Sequence, residues 1–272
     1  MIVTSLVDNI GYKQYKGKHG LCFYIKTKKH NILFDVGPNN LYIKNAEKAG
    51  INISDIDIVV ISHGHYDHGG GLQAFLKINK KAKIYINKNS FDPHYVRILK
   101  FFNYSIGLDK SIKDSNQVIL TDSFYKIDDE LIIYLEIKER KLVSKNNDVF
   151  YTKKDNKIVK DKFKHEQYLI ISEDDKAVLF SGCSHRGIVN IIEEAKKINT
   201  MLDIVIGGLH LYNPVLRKYE TTDFIDKTAE YLKKQNIMFY TCHCTGVKAY
   251  ELLKNRLGSQ IEYLKSGDKI EI

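Results

Sequence analysis

Residues 61 to 72, Ile-Ser-His-Gly-His-Tyr-Asp-His-Gly-Gly-Gly-Leu, constrain this chain more than any other stretch. The apolar run from Ile56 to Ile61 leads into it and reads as a buried strand. His63, His65, Asp67 and His68 then fall within six residues. In an extended turn side chains two apart share a face, so His63, His65 and Asp67 converge on one point. His68, offset by one, aims at a second point nearby. Imidazole and carboxylate are ligands for zinc and similar divalent ions, so the loop can serve two neighbouring metals. Gly69, Gly70 and Gly71 let the backbone turn tightly into a helix beginning near Leu72. A solvated histidine-rich loop is the competing reading, and the strand before and glycine turn after argue against it.

The rest of the composition frames this site. A chain of 272 residues is long enough for one large domain or two small ones. No internal repeat, low-complexity segment or Pro-rich linker divides it, so residues 1–272 read as one domain. No uninterrupted apolar stretch is long enough to span a membrane. The start, Met1-Ile2-Val3-Thr4-Ser5-Leu6, lacks the pattern of a signal peptide. Four cysteines in this length fit a cytoplasmic enzyme better than a disulfide scaffold. The net charge of +9 points either to an anionic ligand or to a lysine-rich solvated surface.

In chain order, residues 2–7, 21–25 and 31–35 read as strands, the latter two as a hairpin across Lys28-Lys29-His30. Leu41, Ile43, Ala46 and Ala49 have helical spacing and stop at Gly50. Leu72 to Ile78 continues as a helix, and residues 83–86 follow as a strand. This strand-helix alternation builds one half of a layered fold. Between about 91 and 164 the pattern changes to an excursion over the active-site edge. There, residues 91–102 read as helical or irregular, and 118–120 and 131–135 as strands. Residues 138–164 carry ten Lys or Arg against four Asp or Glu, a net of +6. This is either a mobile basic lid suited to an anionic substrate or a solvated loop.

His165 stands just before an apolar strand, a turn at 173–176 follows, and a second strand ends at Ser181-Gly182-Cys183-Ser184-His185-Arg186-Gly187. Two antiparallel strands of this length return His165 and Cys183 to the same sheet edge. Cys183 and His185 share a parity, so either can be the ligand from this loop. The helix expected over 188–198 starts beside Arg186, where its N-terminus suits an anionic group. His210 follows Gly207-Gly208 at the end of a strand at 203–206, a position for substrate contact or proton transfer. Helices are expected over 221–234 and 249–257, and a closing strand or hairpin over 261–272. In a strand, Cys242 and Cys244 point opposite to His243. If His243 faces the metals, both cysteines face the core. His243 is thus the expected last ligand, with Asp67, His68 and Cys183. His19, in a loop before a strand, is either a pocket residue or merely solvated.

Six motifs occur in order: Lys18-His19-Gly20-Leu21, the metal loop, Phe163-x-His165-Glu166-Gln167, Gly182-Cys183-Ser184-His185, Gly207-Gly208-Leu209-His210-Leu211 and His243-Cys244-Thr245-Gly246. Together they resemble the branch of the metallo-β-lactamase-fold superfamily named after dihydropterin-ribofuranosyl-aminobenzene phosphate synthase. Lys18, Cys22, Val36 and Tyr168 depart from that branch beside the expected ligands rather than on them. The resemblance implies an α+β fold, a four-layer αββα sandwich with metals at one edge. It implies that His165 completes a first metal site with His63 and His65, and that Asp35 of Asp35-Val36-Gly37 supports the metal loop. It further implies two divalent ions, with zinc favoured by the Cys183 thiolate and Mn or Fe as alternatives.

The implied activity is that of a metal-dependent hydrolase or related transferase on a small phosphate or diphosphate substrate. Asp67 would orient the reacting water, His185 and His210 protonate the leaving group, and Arg186 hold an anionic substituent. Alternatives are a generic metallo-hydrolase of esters or lactones, a nuclease of the same superfamily, and a non-catalytic metal-binding protein. No stripe of stacking aromatics supports nucleic-acid binding.

Overall fold

A computed structural model of the chain describes residues 1–99, 101–138 and 141–272. Its first half starts with β1 (Ile2–Val7), β2 (Cys22–Lys26) and β3 (Asn31–Phe34), an antiparallel meander. Helix α1 (Leu41–Lys48) then crosses to β4 (Ile58–Ile61), parallel to β3. The short α2 (Tyr66–Gly69) and α3 (Leu72–Ile78) cross to β5 (Lys83–Asn87). The pleat explains why β4 reads as a continuous apolar run. It pairs on both sides, and its two faces are covered by the helices and by the opposing sheet.

After β5 the chain makes β6 (His94–Ile98) and β7 (Phe102–Ser105), then β8 (Val118–Thr121), β9 (Tyr125–Lys126) and β10 (Leu131–Tyr134). The hairpin β11 (Phe150–Lys154) and β12 (Lys157–Lys160) follows. Within 91–102, where a helical or irregular segment was expected, residues 94–98 and 102 are strand and the other described residues are irregular or end a short 3₁₀ turn. Tyr95, Val96 and Arg97 pair with Ser105, Tyr104 and Asn103, and the same strand pairs with β11 on its other side. The expected excursion is mostly a small sheet of order β12-β11-β6-β7, while β8, β9 and β10 belong to the two large sheets.

The second half runs β13 (Tyr168–Glu173), β14 (Lys176–Ser181), α4 (Ile188–Ile198), β15 (Ile204–Gly207), the two-residue strands β16 (Tyr212–Asn213) and β17 (Lys218–Tyr219), and α5 (Thr222–Lys233). It ends with β18 (Met238–Thr241), α6 (Val247–Leu257), β19 (Ile261–Tyr263) and β20 (Lys269–Glu271). Thr221 caps α5 by accepting the Phe224 N–H. The two large sheets have orders β20-β1-β2-β3-β4-β5-β8 and β19-β18-β15-β14-β13-β10-β9.

Phe23, Phe34, Val60, Leu131, Leu169, Phe180 and Ile206 fill the space between the sheets. A second cluster packs α4, α5 and α6 on one outer face, and a third packs α1 and α3 on the other. The result is four layers, αββα, as expected from the motifs. Because β20 pairs with β1, the C-terminus closes the N-terminal sheet. The ends of β1, β4, β14, β15 and β18 lie at one rim, and the loops leaving them carry most of the chemistry. No helix among the described residues is long and apolar enough to cross a membrane.

Candidate metal centre

The strand β4 ends at Ile61, the chain bends at His63 and Gly64, and His65 is extended as the residue before α2. Tyr66 starts the turn of α2, so Asp67 and His68 sit on helical backbone. The strand alternation expected over His63, His65 and Asp67 therefore does not hold here. His63 Nε2 lies 3.0 Å from His65 Nδ1. Asp67 Oδ2 instead lies 3.3 Å from His243 Nε2, 3.2 Å from His19 Nε2 and 3.7 Å from His68 Nε2.

Cys183 is the hub of the cluster. Its Sγ is 3.2 Å from His68 Nε2. Ligand atoms of His63, Cys183 and His185 lie within 4.8 Å of one another, and so do those of His68, Cys183 and His243. The strand-end argument that left Cys183 and His185 as alternatives assumed extended backbone. Ser184 has φ 57°, and the turn brings both side chains to the centre. His185 Nδ1 lies 2.9 Å from Asn147 Oδ1, while its Nε2 is buried without a partner.

His165 stands differently from the expectation that it completes a site with His63 and His65. Its Nδ1 accepts the Gly64 N–H at 2.9 Å, which leaves the hydrogen on Nε2, 3.2 Å from Asp161 Oδ2. His65, Asp161 and His165 do lie within 4.8 Å of one another. With both ring nitrogens engaged, however, His165 has no lone pair directed at the cluster. Asp161 also lies 3.0 Å from His94 Nδ1.

Arg186 is also displaced from its expected role. Its guanidinium donates to the carbonyls of Leu135 and Ile137, away from the cluster. The anion near the start of α4 is the chain's own Glu166, which accepts the N–H groups of His185 and Arg186 and the Tyr168 hydroxyl. Burial raises the Glu166 pKa, against these hydrogen bonds and the Arg186 charge.

The expectation that Cys242 and Cys244 both face the core fails for Cys244. Strand β18 ends at Thr241, and His243, with φ 49°, opens a 3₁₀ turn. Cys242 enters the inter-sheet core, whereas Cys244 lines the cavity. Residues near the end of β1 hold His243 in place: Asp8 accepts its N–H at 2.6 Å, and Asn9 Oδ1 lies 2.9 Å from its Nδ1. An Asp-Asn pair directly after an apolar strand was the only sequence signal for that support.

The donor set suits divalent ions. Nε2 atoms of His65 and His185, and both ring nitrogens of His210, are buried without a hydrogen-bond partner, while His243 Nε2 faces only the Asp67 carboxylate. Orphaned buried nitrogens are costly unless something coordinates them. Burial and neighbouring imidazoles hold His63, His65 and His185 well below the usual histidine pKa, so their lone pairs are available. Burial also lowers His68, but Asp35 and Asp67 outweigh it and raise the pKa to about 9.

The cavity above the cluster has a volume of about 560 Å³. Its walls are aromatic and aliphatic, including Tyr66, Tyr104, Phe150, Tyr212, Val96 and Ile106, and its floor is the histidine cluster. Among the described residues no Lys or Arg lines it. Among the described residues, the basic side chains of 138–164 do not line this cavity, which speaks against the lid alternative. Lys153, Lys154, Lys160, Lys162 and Lys164 border a different cavity of about 590 Å³, behind His94, Asp161 and His165. The same hairpin gives Phe150 to the wall of the cavity above the histidine cluster.

The metallo-beta-lactamase superfamily profile matches residues 15–141, which include the whole His63–His68 loop. An uncharacterized protein of Methanocaldococcus jannaschii, MJ0448, is 30% identical over 91% of this chain and 92% of its own length. This chain belongs to the metallo-β-lactamase superfamily. A second M. jannaschii protein, 7,8-dihydropterin-6-methyl-4-(beta-D-ribofuranosyl)-aminobenzene-5'-phosphate synthase, is 28% identical over 99% of this chain and 96% of its own. Among solved structures, Tm1679, a metal-dependent hydrolase of the beta-lactamase superfamily, superposes with a TM-score of 0.84. It is 26% identical, with 100% of this chain and 99% of that one covered. As a superfamily member the chain carries the fold and the loop type that typically bind metal ions.

Proposed function

We propose that this protein is a dinuclear-metal hydrolase or related transferase acting on a small molecule with a flat apolar body and a phosphate or diphosphate group. The observation that carries the reading is the convergence of unpartnered histidine nitrogens at the floor of an aromatic-walled cavity. His63, His65 and His185 would hold one ion, Asp67, His68 and His243 the other, and Cys183 would stand between them. Divalent ions in this place supply Lewis-acid polarisation and lower the pKa of water toward ~7.

The chain's own groups do the rest. Asp35 and Asn9 fix the rings of His68 and His243 through their Nδ1 atoms, turning Nε2 toward the centre. Tyr66, Tyr104, Phe150 and Tyr212 offer faces against which an aromatic body can pack and exclude water. His19, its side chain 37% exposed, is the histidine nearest solvent and lies against Asp67. It is the group positioned to pass a proton to a leaving group. The relative named as a pterin-linked phosphate synthase supports a heteroaromatic phosphate substrate.

A second reading is hydrolysis of an uncharged ester or lactone, and one observation favours it: no Lys or Arg lines the cavity among the described residues. The two readings separate in one assay series. The metal-loaded protein is offered phosphomonoesters, phosphodiesters, lactones, and a dihydropterin-methyl diphosphate with its ribofuranosyl-aminobenzene phosphate co-substrate. Turnover of a phosphate or diphosphate compound, abolished by a chelator, is expected. Turnover of lactones alone would replace the first reading with the second, and a metal-loaded protein inert to all four would count against both.

A further inference from the structure

We infer that Cys183, Cys244 and His210 form a third, thiolate-rich cation site beside the His/Asp centre, with the Cys183 sulfur shared between them. The inference rests on the metal-centre reading above and adds two residues to it. Cys244 is buried, its Sγ accepts the His210 N–H at 3.3 Å, and it lies 3.5 Å from the Cys183 carbonyl oxygen. Ligand atoms of all three residues lie within 4.8 Å of one another.

His210 is the independent observation. It is only 3% exposed, and neither ring nitrogen has a hydrogen-bond partner. A buried imidazole ordinarily satisfies at least one nitrogen, because leaving both unmade costs more than a typical hydrogen bond contributes. The backbone is committed to this placement. His210 adopts φ 51°, uncommon for a residue with a Cβ, and Gly208 permits the close approach of Cys244. A Cβ on Gly208 would stand 2.5 Å from the Cys244 sulfur. Two sulfurs and one imidazole make a softer set than His63, His65, His68 and Asp67, so the site should prefer zinc-class or softer cations.

The test uses the full chain and Cd²⁺ as the probe. Wild-type protein, stripped and then loaded in excess Cd²⁺ and desalted, should retain about one equivalent more than Cys244→Ser or His210→Ala, as the loss of one ligand from a three-ligand set predicts. The near-ultraviolet thiolate-to-cadmium band should fall by about half in Cys244→Ser, since one of two thiolates is gone. X-ray absorption on zinc-loaded wild type gives a measure free of any folding defect: averaged over the bound ions, more than one protein sulfur per zinc at about 2.3 Å is expected, against one if Cys183 alone contributes. Equal stoichiometry and an unchanged band in Cys244→Ser, or one sulfur only in the wild type, would overturn the site while leaving the His/Asp centre intact. Wild type that binds no Cd²⁺ or Zn²⁺ at all would overturn the metal-centre reading itself, and this inference with it.

Discussion

Asp35 Oδ2 lies 2.6 Å from His68 Nδ1, and neither side chain reaches solvent. The same carboxylate accepts the Ser62 N–H and hydroxyl, each at 2.7 Å. One buried group thus fixes both the chain leaving β4 and the ring that faces Cys183. Its position is possible because Asp35 adopts φ 61° immediately after β3 ends.

Asp35→Asn keeps the volume and one acceptor but loses the charge that sets the His68 tautomer. Metal affinity should fall about 10- to 100-fold, the usual cost of losing a partner behind a ligand. Competition against a chromophoric chelator measures it. An affinity equal to wild type would mean that Asp35 serves only the backbone turn.

His185 and His165 make opposite predictions. His185 Nε2 is unpartnered beside His63 and Cys183, while both His165 nitrogens are engaged by Gly64 and Asp161. After dialysis against a weak chelator, His185→Ala should lose about one bound ion, and His165→Gln should retain its full complement. Elemental analysis of the two variants decides, and the reverse pattern would restore His165 to the ligand set.

Gly182 leaves no room for a side chain. A Cβ there would stand 2.1 Å from Ser62 Oγ and 3.2 Å from His63 Nδ1. Ser62 Oγ bridges Asp35 to His63, so Gly182→Ala should disturb that bridge and the metal loop together. We expect a loss of about 1–3 kcal/mol, typical of overpacking in a filled interior. Chemical denaturation in the presence and absence of zinc measures it, and a neutral result would show that Ser62 can move away freely.

At the rim opposite the site, Asp128 joins the two sheets' turns. It accepts the N–H groups of Glu130 and Leu131 and lies 2.6 Å from His30 Nε2. Partial burial would raise its pKa, but these hydrogen bonds and His30 outweigh it and the net shift is downward. A carboxyl whose folded pKa is depressed stabilises above its unfolded value and loses that contribution as pH falls through the folded one. Asp128→Asn should therefore lower the melting temperature near pH 7, by a modest amount corresponding to about 1 kcal/mol or less for so exposed a pair. The gap should close as pH drops below about 3.9, the ordinary aspartate value. A gap that persists unchanged at low pH would assign the effect to shape rather than charge.

Much of this arrangement was legible in the chain. The alternation and runs at 2–7, 31–35, 56–61, 168–171 and 177–180 became strands because apolar side chains at period two, or continuous ones on doubly covered strands, have no other way to be buried together. The crossover helices at 41–48, 72–78 and 188–198 followed from 3.6-residue spacing for the same reason. The His63–His68 loop stood out as a candidate metal site because residue type and strand context coincided. These are local relationships, fixed by a residue and its neighbours within one element.

What tertiary structure decided lies where regular backbone stops. Positive φ at Ser184, His210 and His243 turned side chains out of the alternation that a strand would impose. Those turns brought His185 to the cluster beside Cys183, where the sequence had left the two as alternatives, and Cys244 to the cavity, against the sequence expectation. Arg186 went to the carbonyls of Leu135 and Ile137, and His165 to Gly64 and Asp161, because buried donors and acceptors from distant segments needed partners. The sequence thus determined the layers and the metal loop through local periodicity. Which histidines and cysteines keep free lone pairs was decided by long-range hydrogen bonding, which no local pattern encodes.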